Sequence, residues 1–111
     1  MPRIPNWKID AEVKALNEFV NYNGTIVAVR SGADYIVVHW NTTILRYNTE
    51  TKTISFLLED YRSQTTSTLV GRLLRGLPRE SAMDYILSVR DNNNRQRLRR
   101  MLGRIFTPEI Y

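Results

Sequence analysis

Nine arginines lie between positions 72 and 104, and five of them, Arg95, Arg97, Arg99, Arg100 and Arg104, fall within ten residues. A guanidinium presents a planar fork of donors that matches the oxygens of phosphates and carboxylates, so such a cluster points to an anionic partner. Arg72, Arg75 and Arg79 extend the same charge toward the middle of the chain. Other chemistry is thin. There is no cysteine, which removes disulfides, thiolate metal sites and cysteine nucleophiles together. His39 is the only histidine, sits beside Trp40 in a strand-like run with no nucleophile motif nearby, and reads as a packed or surface residue. Glu59-Asp60 is an adjacent acidic pair after a strand, without the glycine-bearing loop a cation site needs. No catalytic residue, metal or cofactor is expected, and the chain is not read as an enzyme.

A second place where an anion could sit is Arg62-Ser63-Gln64-Thr65-Thr66. It delivers the Arg62 guanidinium and the hydroxyls of Ser63, Thr65 and Thr66 to the start of a helix, whose first amides lack intrahelical partners. The same residues also suit a plain structural role, with Ser63 or Thr65 capping the helix and Arg62 pairing with Glu59 or Asp60.

The elements that must position these groups follow from periodicity. Asp10 can cap a helix over 10–21 whose apolar residues Val13, Leu16, Phe19 and Val20 fall on one side. Asn23-Gly24 marks a turn, and β-branched runs then predict strands near 25–30, 35–40, 43–47 and 53–58. Beyond Tyr61 the period changes from 2 to about 3.6. Helices are predicted near 65–76, 80–91 and 94–106, with Pro108 closing the last. The expected fold is therefore α+β: an N-terminal helix, an antiparallel meander of three or four strands, then two or three C-terminal helices. Residues 1–111 are read as one domain, with 1–9 an extended arm and 94–111 an arginine-rich helix and tail. Its core should contain Phe19, Ile26, Val38, Trp40, Ile54, Phe56, Leu69, Leu73 and Ile86.

The net charge of +5 is uneven. Residues 1–62 carry seven cations and seven anions, whereas residues 63–111 carry nine arginines against four acids. The last helix has an uninterrupted apolar stripe, Leu98, Met101, Leu102, Ile105 and Phe106, so docking on the sheet would leave its arginines facing water. If the stripe does not dock, it becomes a surface for a second copy or another protein, which leaves a homo-oligomer open. No apolar run approaches the roughly 20 residues that span a bilayer, and the expectation is a cytoplasmic protein.

Thr42-Thr43-Ile44-Leu45-Arg46-Tyr47, Thr51-Lys52-Thr53-Ile54 and Tyr61-Arg62-Ser63-Gln64-Thr65-Thr66, taken with their spacing, resemble a group of small uncharacterised phage and prophage proteins. There, a Thr-x-Ile-Ala strand is followed by a hairpin and an aromatic-(Arg/Ser)-x-Thr-Thr turn into a helix. The likeness covers roughly residues 34–75. It departs at Thr43, where the group often has proline, and at Ser67-Thr68, where it has a basic residue. The resemblance implies a mobile-element protein of non-enzymatic accessory type, in the cytoplasm of an infected or lysogenic bacterial host. The arginine-rich end lies outside it. Two functions remain in play: nucleic-acid binding through the arginine helix, or an interaction module that binds a bacterial protein in host takeover or anti-defence. An acidic protein surface or an anionic membrane would also suit a basic amphipathic helix.

Overall fold

The computed structural model describes the backbone of residues 1–110 and the side chains of residues 1–105. Six strands form one sheet in chain order: β1 Arg3–Ile4, β2 Phe19–Asn21, β3 Ile26–Ser31, β4 Asp34–His39, β5 Thr42–Asn48 and β6 Thr53–Leu57. β1 runs parallel to β2 and the remaining pairs are antiparallel, so the sheet is mixed. A short 3-10 turn at Asn6–Lys8 and helix α1, Ile9–Lys14, separate β1 from β2. Three further helices close the chain: α2 Gln64–Gly76, α3 Arg79–Ser88 and α4 Asn92–Ile110.

The chain is α+β, but not in the arrangement its sequence predicts. The expected helix over 10–21 is replaced by a six-residue α1 and a strand, and the three- or four-stranded antiparallel meander is replaced by a six-stranded mixed sheet. The physical reason lies at Leu16, which takes φ +56° just beyond the end of α1. Its amide donates to Val13 O at 2.9 Å, and the Asn17 amide donates to Glu12 O at 3.0 Å, a left-handed closure of the kind that terminates helices. Asn17 Nδ2 adds a bond to the Glu12 carboxylate at 3.0 Å. Released from the helix, Phe19 turns inward opposite Ala28, and Val20 faces outward opposite Val27. The expected extended arm at 1–9 is instead tied down. Ile4 and Ile9 are buried, the Val20 amide donates to Pro2 O, and the Tyr22 amide donates to Ile4 O.

Two irregularities decide which strand residues face the core. In β4–β5, Val37 opposes Leu45 but Val38 opposes Thr43, which makes Ile44 an extra residue and lets Ile44 and Leu45 both be buried. In β5–β6, Tyr47 opposes Ile54 but Arg46 opposes Phe56, so Ser55 is the extra residue, its hydroxyl donating to Arg46 O. That bulge turns Ile54 and Leu57 inward and Phe56 outward. Strict alternation places Phe56 in the core, and so does not apply here. Val38 lies on the outward side opposite Val27, half-buried. Trp40, also expected in the core, is 71% exposed, because it and Asn41 form the two-residue turn between β4 and β5.

The inner side of the sheet packs against the helices. The seam between α1 and α2 is so close that a Cβ on Gly76 would lie 2.6 Å from Asp10 O and 2.8 Å from Val13 Cβ. α3 lies along β6, the last strand of the sheet: Ser81 Oγ donates to Lys52 O at 2.6 Å and Tyr85 Oη to Leu57 O at 3.1 Å. Those bonds cover an edge that would otherwise offer unpaired carbonyls to another chain. Leu98 and Leu102 of α4 are buried in the same core, with Met101 and Ile105 packed on it. The Phe106 side chain lies outside the described residues. α4 runs past Pro108 to Ile110, so the proline does not mark its end. No helix among the described residues is long and apolar enough to cross a membrane.

Candidate nucleic-acid interface

α2 begins where Ser63, in an extended conformation, accepts a hydrogen bond from the Thr65 amide at 3.2 Å. Thr66, Leu69, Val70, Leu73 and Leu74 then point into the core at helical spacing. The two flanks of the helix meet different neighbours. On one flank a Cβ at Gly71 would lie 3.8 Å from Met101 Sδ of α4. On the other, Thr65, Leu69 and Arg72 line a cleft of about 240 Å³. Thr68 and Arg75 are exposed between them.

α4 runs in the same direction as α2. Arg97, near its start, lies over the ring of Tyr61, which precedes α2, at 4.6 Å. Met101, one turn on, reaches Gly71. Arg75 and Arg104 each follow these contact residues by about one further turn of their own helix. Arg99, Arg100 and Arg104 are exposed and Arg72 is half-buried. Among the described residues, none of Arg72, Arg75, Arg99, Arg100 and Arg104 has a carboxylate within salt-bridge distance. An ion pair does form between Arg46 Nη1 and Asp34 Oδ2, at 2.9 Å on the outward side of the sheet. The two helices thus present a cationic strip with unneutralised guanidiniums over a fixed apolar base.

Not every predicted arginine joins it. Arg97 donates through Nη2 to Glu59 O and to Asn94 Oδ1, and through Nη1 to Tyr61 O, while its Nε is buried without a partner. Arg95 is half-buried, with its Nε likewise enclosed. Arg97 thus serves the interior, and Arg95 is drawn partly into it. Arg79 opens α3 and lines a different cleft with Lys52, Glu80 and Asp84. In the second predicted anion site, Ser63 is occupied as the cap, Thr66 is buried, and Arg62 is exposed; Thr65 lines the cleft, together with Gln64 from the same segment. His39 is half-buried, its ring centroid 6.5 Å from that of Trp40. The Glu59 carboxylate accepts a hydrogen bond from Tyr85 Oη. Burial, reinforced by that carboxylate, holds the Tyr85 hydroxyl well above the ordinary phenol range. Among the described residues no group of three His, Cys, Asp or Glu could hold a metal ion.

The cleft has an apolar floor of Ile9, Ile26 and Leu69. Its polar rim is Asn6, Gln64, Thr65, Thr68 and Arg72. Behind Asn6 stands Asn21, almost fully buried with every polar atom used. Asn21 Nδ2 donates to Asn6 Oδ1 at 3.0 Å and to Thr25 Oγ1 at 2.9 Å, and its Oδ1 accepts from the amides of Thr25 and Ile26. Sequence reasoning passed over Asn6, Asn21, Trp7 and Tyr22. The one readable signal was Asn21 just before the Asn23-Gly24 turn, where an asparagine side chain can bond the backbone a few residues on. Comparisons of the chain with family models, with curated proteins and with solved structures returned no match.

Proposed function

We propose that this protein binds nucleic acid through the strip formed by Arg72, Arg75, Arg100 and Arg104; Arg99 lies on the far flank of α4, about 160° round the helix from Met101. The observation that carries the reading is that Leu98 and Leu102 of α4 are buried within their own chain, with Met101 and Ile105 packed on the core, while among the described residues these arginines have no carboxylate within salt-bridge distance. Guanidiniums held at fixed spacing on packed helices suit a repeating phosphate backbone, and their neutralisation by phosphate releases counterions. The likeness of residues 34–75 to phage and prophage proteins fits a small accessory protein of a mobile element. The test is a salt titration with labelled DNA and RNA oligonucleotides. About four phosphate contacts predict a log–log slope of roughly −3 to −4, a loss of about two orders of magnitude in affinity between 50 and 200 mM salt. No binding to any oligonucleotide at low salt would end this reading.

A protein-interaction role is the second reading, and one observation favours it. The outward side of the sheet carries Val27, Val29, Ile36 and Val38, partly accessible, and Phe56, exposed. A contact anchored there would change little with salt.

A further inference from the structure

Resting on the nucleic-acid reading, we infer that the preferred ligand is single-stranded, with bases stacked on Trp7, Tyr22 and Trp40 beside the cleft and phosphates held by the arginine strip. These aromatic residues are 66%, 63% and 71% exposed, although rings of this size normally bury most of their area. They share one support. Trp7 follows Asn6 and Tyr22 follows Asn21, the two asparagines joined by a hydrogen bond. The Trp40 amide donates to Thr25 O at 2.7 Å, and Thr25 is itself bonded to Asn21. One saturated, buried amide therefore fixes the ground from which all three rings project.

Cations are interleaved with the rings. Lys8 Nζ lies 5.2 Å from the Trp7 ring centroid, and Arg3 Nη1 donates to Tyr22 O at 3.2 Å. Through Asn6, the same support forms part of the cleft that Arg72 rims. The surface then continues across Thr68 and Arg75 of α2 toward Arg104 of α4. Aromatic platforms beside a basic track are what unpaired bases require, since a duplex keeps its base faces stacked inside. Trp40 adds an independent sign. It holds φ +56° in its two-residue turn, a conformation that glycine or asparagine adopts at far less cost than a bulky residue. Leu16 and Lys52 take the same conformation at φ +56° and +58°, so what sets Trp40 apart is that conformation together with a ring left 71% exposed.

Trp7 and Trp40 are the only tryptophans in the chain, so its tryptophan emission reports this surface directly. The experiment titrates the full chain with oligo-dT, oligo-U and a duplex of equal length, following emission and, separately, the anisotropy of labelled oligonucleotide. Expected are quenching by the single strands, preference for them over the duplex, and roughly ten-fold weaker binding for each of Trp7→Ala and Trp40→Asn. Trp40→Asn should also melt no lower than the parent, which separates lost contact from lost fold. The relative affinities of the dT and U strands then say which backbone is preferred. Binding with unchanged emission and equal affinity for duplex overturns this inference and leaves the arginine reading standing. Absence of binding to all three ligands overturns both.

Discussion

Arg97 and Arg104 stand seven residues, two turns, apart on the same side of α4, yet their guanidiniums meet opposite surroundings. Beside Arg97 the chain leaves β6, and the carbonyls of Glu59 and Tyr61, which have no strand to pair with, are taken up by its fork. The Tyr61 ring covers the same group from one side. Arg104 is exposed, with no carboxylate in reach among the described residues. The first arginine closes an interior gap and the second offers its charge to a partner. Function therefore belongs to what stands opposite a side chain, and counting arginines along α4 overstates the binding set by Arg95, Arg97 and Arg99.

The comparison depends on a rigid base, and Gly76 is where that base is easiest to break. Gly76→Ala would push a methyl against Asp10 O and the Val13 side chain, so α1 and α2 would have to part. Overpacking of this kind costs about 1–3 kcal/mol, and in a better-placed helix alanine would have been favourable. The expected outcome is a drop of about 2 kcal/mol in chemical denaturation, with weaker oligonucleotide binding because the strip on α2 loses its footing. Unchanged stability would mean that the α1–α2 seam is looser than its geometry.

Arg97→Ala should come next, at about 2 kcal/mol, because backbone carbonyls of Glu59 and Tyr61 lose a charged donor in a partly buried place. Lysine should recover little of this, since a single ammonium cannot span the two carbonyls as a planar fork does. The slope of binding against salt should stay as it is. A shallower slope in Arg97→Ala would place this residue among the phosphate contacts and dissolve the contrast with Arg104.

How much of this was legible in the sequence differs between the two halves. The apolar stripes of α2 and α4 appear at helical spacing, because each helix buries one face and little else competes with that pattern. The strand half misleads where geometry departs from strict alternation: the bulge at Ser55 sends Phe56 outward, and the left-handed closure at Leu16 ends a helix that periodicity would continue. Trp40 reads as core because a large aromatic follows a β-branched run, and no local signal reveals that the chain turns there at a positive φ. The interior role of Arg97 rests on contacts to residues 36 and 38 positions away, beyond any local pattern.

Alkali probes the Arg97 anchor from its other side, because the Glu59 carboxylate accepts from Tyr85 while the Glu59 carbonyl accepts from Arg97. Burial raises the hydroxyls of both Tyr35 and Tyr85 above the ordinary phenol value near 10. Below pH 10 these phenols are neutral whether the chain is folded or not, so their contribution is fully present. Above it the unfolded chain releases their protons first, and stability falls as the pH climbs toward their folded values. Phenolate absorbance should therefore show Tyr35 and Tyr85 ionising late and together with loss of structure. Tyr85→Phe should cost about 1 kcal/mol at neutral pH. Titration of Tyr35 and Tyr85 ahead of unfolding would mean that both hydroxyls are accessible.

The smallest change in stability, and the one that decides what the strip is for, belongs to Arg100→Ala and Arg104→Ala. Both side chains stand exposed with no carboxylate in reach among the described residues, so each substitution should alter unfolding free energy by no more than about 0.5 kcal/mol. Binding should respond in a different measure. If each guanidinium neutralises one phosphate, each loss should make the log–log salt slope shallower by roughly 0.7 on a single strand, and the double variant by twice that. Replacing either arginine by lysine should keep the slope while weakening affinity, since the charge remains and the fork is lost. An unchanged slope in the double variant, with the fold intact, would remove Arg100 and Arg104 from the interface and leave Arg72 and Arg75 to carry it beside the cleft.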